Sequence, residues 1–223
     1  MSTTDTGARR TSRAYEAELI SDPQLKAEAE TYNGLRQFDL AKRMVQDALD
    51  RGGFRLRLSH ILSLHREALA GISGFAGNFR PAGVSIEGSK HEPAGAHLVP
   101  ELVEALCDYV NEHWDSRTAL HLAAFVMWRL NWIHPFADGN GRTSRILSYL
   151  VLCIRTGWML PGTPTIPDQI VQSRSRYFDA LDAADAAWSD GRLDVSAMED
   201  LLSGMLARQL MSVYQSAGGT AEA

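Results

Sequence analysis

The sequence predicts a mainly α-helical domain with one small β element. Three observations predict it. Apolar residues recur at helical spacing through most of the chain, and one of the helical runs is apolar on nearly all sides. Only the stretch from Gly74 to Ala96 shows short strand-like alternation, set among Gly, Pro and Asn residues. With 223 residues, 45% of them hydrophobic, the chain suits one sizeable core better than two.

The elements follow in order. Residues 1–22 are rich in Thr, Ser, Arg and Glu with few apolar anchors, and are expected to form a loose segment. Pro23 opens a helix that runs through Phe38, Leu40, Met44, Val45, Ala48 and Leu49 to the Gly52-Gly53 stop, with Asn33-Gly34 as a point where it would divide in two. Leu58, Ile61, Leu62, Leu64, His65 and Leu69 place an apolar face on the next helix. Between Gly74 and Ala96, Asn78-Phe79-Arg80 and Val84-Ser85-Ile86 read as the strands of a hairpin or extended flap. Pro100 begins a helix with Leu102, Val103, Leu106 and Val110 inward. Arg117 to Trp132 forms the helix that is apolar all round and belongs in the centre of a bundle. Helices over 138–156, 168–187 and 194–213 complete a single domain spanning 23–215 with an N-terminal helical extension, and 216–223 reads as a flexible tail.

Charge and cysteine usage narrow the function classes. Twenty-two Lys and Arg against 27 Asp and Glu give a net charge of -5, the wrong sign for a chain that neutralises nucleic-acid phosphates, so no nucleic-acid partner is expected. The longest apolar stretch, Leu120 to Ile133, is too short to span a bilayer, and no membrane partner is expected. Cys107 and Cys153 both fall in buried helical runs, which points to a reducing compartment, and the first twenty residues lack the apolar core of a signal peptide. A cytoplasmic location is the expectation.

The chemistry concentrates between the two most apolar helices, from His134 to Arg145. Pro135 forces His134 out of helical geometry, and Asp138 is placed to cap the helix that follows. Gly139 and Gly141 remove side chains where backbone amides approach an anion at a helix N-terminus. Arg142 and Arg145, three apart, share one face of that helix and supply forked donors. Asp138 offers one hard oxygen ligand, sufficient for Mg²⁺ when phosphates and water complete the shell. His134, four residues away, suits a base that takes a proton from a hydroxyl nucleophile. There is no zinc-spaced Cys/His set, no Walker loop and no Gly-x-Ser-x-Gly elbow.

The run His134-Pro-Phe-Ala-Asp-Gly-Asn-Gly-Arg-Thr-Ser-Arg145 resembles the Fic (Fic/Doc) motif, His-x-Phe-x-Asp/Glu-Gly-Asn-Gly-Arg-x-x-Arg, at every defined position. Gly77 to Arg80 and Val84 to Pro93 resemble the family's flap, and Arg176-Tyr177-Phe178 its adenine-side helix. The resemblance implies a Fic-type helical bundle with a small β-hairpin flap, and a protein adenylyltransferase (AMPylator) that moves AMP from Mg-ATP to a Ser, Thr or Tyr hydroxyl of a target protein. It implies that His134 is the general base, that Phe136 anchors the loop, and that Asp138 holds Mg²⁺. Gly139, Asn140 and Gly141 would cradle the α- and β-phosphates, with Arg142 and Arg145 on the phosphates and Arg145 nearest the γ-phosphate. The flap residues Ile86, Glu87, Gly88 and Ser89 and the aromatics Tyr177 and Phe178 complete the implied binding set. Helix-core packing is the competing reading for the last two.

A toxin-type or non-catalytic nucleotide-binding regulator controlled by a partner, and transfer of another nucleotide, are the alternatives. A separate antitoxin and a homodimer stay open. The inhibitory Ser/Thr-x-x-x-Glu-Gly/Asn signature of many relatives has no clean copy here. An atypical inhibitory helix between Tyr15 and Asn33 would show one of Glu16, Glu28 or Glu30 paired with Arg145, against the simpler expectation of a solvated, Glu-rich helix surface.

Overall fold

In the computed structural model, which describes residues 10–14 and 19–218, the helical expectation is met. The elements run β1 (Thr11–Arg13), α1 (Pro23–Arg51), α2 (Leu58–Leu69), β2 (Ser85–Glu87), α3 (Val99–Glu112), α4 (Ala119–Ile133), α5 (Asn140–Thr156), α6 (Ile166–Gln172), α7 (Arg174–Ser189) and α8 (Ser196–Ser216).

The α4 and α5 helices form the centre. The α4 helix is buried without interruption from Leu122 to Leu130, so it has no solvent face to keep polar. It packs along α5, with α3 and α8 against its other sides, while α1 and α2 cover α5. Both cysteines lie inside, at 6% and 0% exposure, and burial pushes their thiols up to about 12 for Cys107 and about 11 for Cys153. Both therefore serve as small hydrophobes. Among the described residues, no helix is long and apolar enough to cross a membrane.

Asn33-Gly34 does not divide α1, which is one helix of 29 residues capped by Asp22, whose carboxylate accepts the N–H groups of Gln24 and Leu25. Tertiary bonds explain the difference from local propensity. Asn33 is 3% exposed and donates to the Ala70 carbonyl at 2.8 Å, and Gln37 donates to the Leu64 carbonyl at 3.0 Å. These bonds fix α1 to α2 on either side of Gly34 and offset its weak helix preference.

The β element also differs from the hairpin expected within Gly74 to Ala96. That stretch contributes one strand, β2, and its antiparallel partner is β1, from the segment expected to be loose; Thr11 faces Glu87, Ser12 faces Ile86 and Arg13 faces Ser85. Asn78-Phe79-Arg80 is not a strand, because Arg80 is committed elsewhere, to the loop after α4. Residues 168–187, expected as one helix, are divided between α6 and α7 at Ser173.

Gly34 is exposed, and a Cβ added there would meet nothing within 4 Å. Gly34→Ala is expected to raise stability by about 0.5–1 kcal/mol. A urea midpoint that rises with unchanged slope confirms it; a lower midpoint shows that the helix is strained at Gly34.

Candidate active site

The segment between α4 and α5 turns the chain with two left-handed residues. His134 caps α4 at φ 52°, ψ 58°, the only positive φ at a non-glycine among the described residues, and its N–H still donates to the Leu130 carbonyl. Gly139, at φ 77°, is the N-cap of α5 in place of the expected Asp138. A Cβ on Gly139 would lie 2.4 Å from Leu69 Cδ2 and 3.3 Å from His65 Cδ2, so this glycine serves the turn and its close packing against α2. The Asp138 carboxylate is turned instead to the Gly139 N–H, at 2.5 Å, and to Arg142, at 2.7 Å.

The loop is held from beneath. Phe136 is fully buried and stacks on His65, their ring centres 3.7 Å apart and nearly parallel. His65 Nδ1 accepts the Gly77 N–H at 3.0 Å, so its proton is on Nε2, which donates to the Asp138 carbonyl at 3.0 Å. Arg80, 3% exposed, donates from Nε to the His134 carbonyl and from its backbone N–H to the Pro135 carbonyl, and its remaining donors reach the carbonyls of Ala82 and Ala94. Asn140 is 2% exposed, accepting the Phe136 N–H and donating to the Phe136 carbonyl. Its side chain thus closes the loop on itself, and Asn140 is not among the residues that line the cavity.

The tautomer of His134 is fixed in the same way. Its Nδ1 lies 3.1 Å from the Asn131 carbonyl, which can only accept, so Nδ1 carries the proton and Nε2 presents a lone pair. That lone pair faces the Ser12 hydroxyl at 2.7 Å. Burial pulls the His134 imidazole down to about 4; the Asn131 carbonyl opposes the shift, and Arg80 and His91 add to it. The ring is therefore neutral near pH 7, and its Nε2 lone pair is free to accept a hydrogen bond.

Beyond His134 opens a cavity of about 1010 Å³, its mouth included, lined by the start of α5, the flap and α7. The cavity has three arginines at one end. Arg142 is committed to Asp138 and, at 3.2 Å, to Glu30 of α1. Arg145 is partly buried, desolvation lowers its pKa, and among the described residues no carboxylate pairs with it. Arg174 lines the same wall. Anionic ligands fit this end, since cations and a helix N-terminus converge there.

The Fic/DOC family profile matches residues 55–152. Over 155 residues the chain is 34% identical to the Drosophila virilis protein named protein adenylyltransferase Fic, a match that spans 69% of this chain and 30% of that one. The chain thus spans about a third of the length of the curated relatives it matches. A Fic domain containing signaling protein from Bacteroides thetaiotaomicron superposes with a TM-score of 0.72 at 26% identity, covering 91% of this chain and 78% of the other. Fic-1 (aa134–508) from Caenorhabditis elegans shares the fold at TM-score 0.63 and 23% identity, covering 88% and 55%. Residues 55–152 belong to the Fic/DOC family.

Within this Fic/DOC site, Ile86, Ser89, His134, Asp138, Gly139, Gly141, Arg142, Arg145, Tyr177 and Phe178 all border the one cavity, whereas Glu87 and Gly88 do not. Gly88 is the left-handed turn after β2, and Glu87 is opposite Thr11 in the ladder. Tyr177 is 3% exposed and accepts a hydrogen bond from Asn131, so it packs in the core and borders the cavity at once. The arrangement sought for an inhibitory helix is absent among the described residues: Glu30 pairs with Arg142, Glu28 accepts from Gln24, and Glu16 lies outside the described residues. Sequence reasoning passed over the supporting roles of His65 and Arg80. A histidine inside the apolar stripe of α2, and an arginine in a stretch read as strand, were the available signals.

Gly139→Ala is expected to cost about 1–3 kcal/mol, through overpacking against Leu69 and the left-handed backbone; unchanged unfolding would show that the loop relaxes without loss. Burial also lowers His65 to about 4. For His65 and His134 the folded pKa is below the unfolded value of about 6.5, so the unfolded chain binds more protons and stability falls as pH drops from about 6.5 toward about 4. Histidine NMR signals for both that titrate near their unfolded value would contradict this.

Proposed function

We propose that this chain is a protein adenylyltransferase that transfers AMP from ATP to a hydroxyl side chain of a target protein. The single observation that carries the reading is the unprotonated Nε2 of His134, held against a hydroxyl by the fixed Nδ1 tautomer in the wall of an arginine-lined cavity. The relatives named protein adenylyltransferase Fic support it.

In this reading a target hydroxyl occupies the place where Ser12 Oγ now lies. As the hydroxyl oxygen attacks the α-phosphorus, its proton passes to His134 Nε2, a new O–P bond forms, and the bond to the bridging oxygen of pyrophosphate breaks. Arg145 and Arg174 stabilise the departing negative charge, assisted by the first N–H groups of α5. The flap strand β2 offers main-chain pairing to a target segment, which aligns a hydroxyl without demanding one sequence.

The residues present fit Mg²⁺. Asp138 is the carboxylate at the phosphate end of the cavity, its side chain 48% exposed, and Mg²⁺ needs one or two carboxylates when phosphates supply the rest. Bound there, the ion would neutralise phosphate charge. The ion pair that Arg142 makes with Asp138 keeps the carboxylate oriented toward the start of α5.

His134→Asn tests the base. Asn tolerates the left-handed backbone at this position but cannot accept the proton, so labelling of target proteins is expected to fall by roughly 10²–10⁴-fold with Mg·ATP affinity nearly unchanged. Transfer at the wild-type rate would overturn the assignment. Arg145→Ala is expected to weaken Mg·ATP binding by on the order of tenfold or more, measured by calorimetry. Unchanged affinity would remove Arg145 from the phosphate site.

A further inference from the structure

The short strand β1 occupies the position that a target segment would take. It pairs antiparallel with the flap strand, with Ser12 opposite Ile86, and Arg10, Thr11 and Ser12 line the same cavity as His134, Asp138 and Arg145. Two residues before Ser12, Arg10 donates to both carboxylate oxygens of Asp182 at 2.7 Å, and its guanidinium lies 4.6 Å from the centre of the Phe178 ring. Between the ladder and the Arg10 anchor, the Ser12 hydroxyl is placed 2.7 Å from the one ring nitrogen of His134 that can take its proton. A serine that only filled space would need neither the anchor nor the base.

We propose that Ser12 is an acceptor for the chain's own activity, with β1 bound as a target segment in cis and AMP transferred to Ser12 Oγ within the same molecule. This rests on the adenylyl-transfer reading above. The step balances as it does for any target: Ser12 Oγ bonds to the α-phosphorus of ATP, pyrophosphate departs with the bridging oxygen, and the hydroxyl proton goes to His134 Nε2. Because β1 fills the edge of β2, a second segment cannot pair there until β1 leaves, so the strand also competes with other targets.

The test uses the full chain with Mg²⁺ and labelled ATP, alone and with a cell lysate, followed by peptide mapping. AMP on Ser12 counts whether it was acquired during expression or in the reaction. The expected result is AMP on Ser12, formed with a rate constant that does not change on dilution. Ser12→Thr retains the modification; Ser12→Ala removes it from that peptide while lysate proteins are labelled at least as fast as by wild type. Asp182→Asn, which loosens the partly exposed Arg10 anchor, slows self-labelling by about twofold to fivefold without slowing lysate labelling.

Labelled lysate proteins with an unmodified Ser12 would overturn the proposal and leave adenylyl transfer standing. A Ser12 rate that rises in proportion to protein concentration would overturn transfer within one molecule. No label on any protein would remove the adenylyl-transfer reading and this proposal together.

Discussion

The bond network of His65 is the contact on which the site depends. This one imidazole stacks on Phe136, accepts the Gly77 N–H and donates to the Asp138 carbonyl, so it joins α2, the flap stretch and the loop after α4 at a single buried point. It can do so only while neutral, since a protonated ring would leave Nδ1 facing an N–H donor. Low exposure enforces that state by disfavouring the charged ring. Arg80 completes the support from the other side by holding the carbonyls of His134 and Pro135. With both in place His134 keeps a left-handed backbone that would otherwise be costly, and its Nε2 keeps one direction.

The charge distribution follows from where the loop ends. Cations gather at the start of α5, where the helix already offers unsatisfied N–H groups. Asp138 and Glu30 answer Arg142 and leave Arg145 without a carboxylate among the described residues. The result is a site with the His134 imidazole at one end and, among the described residues, an arginine without a carboxylate partner at the other. β1 lies across the His134 end, pairing with β2 and setting the Ser12 hydroxyl against Nε2.

The loop was the most legible part of the sequence because its residue types are dictated locally: Pro135 ends a helix, Gly139 permits a turn, and Arg142 and Arg145 share a face by helical spacing. The core helices were legible for the same reason, through the periodicity of their apolar residues. What could not be read depended on contacts between distant segments. Gly34 stays helical because Asn33 and Gln37 bond to α2, and Asn140 turns inward because Phe136 offers it both a donor and an acceptor. β1 has almost no strand signal of its own, and its register comes from β2, more than seventy residues later. Glu30 reached the loop as a candidate by composition alone, but geometry assigns it Arg142 and not Arg145.

The central claim is that the site directs a hydroxyl at the α-phosphorus of ATP with His134 as base. The most direct measurement compares ATP labelled at the α-phosphate with ATP labelled at the γ-phosphate, each incubated with the protein, Mg²⁺ and lysate. The account predicts that protein acquires the α-label and that the γ-label appears in released pyrophosphate. Incorporation of the γ-label into protein would contradict it, because the hydroxyl would then be attacking the opposite end of the triphosphate.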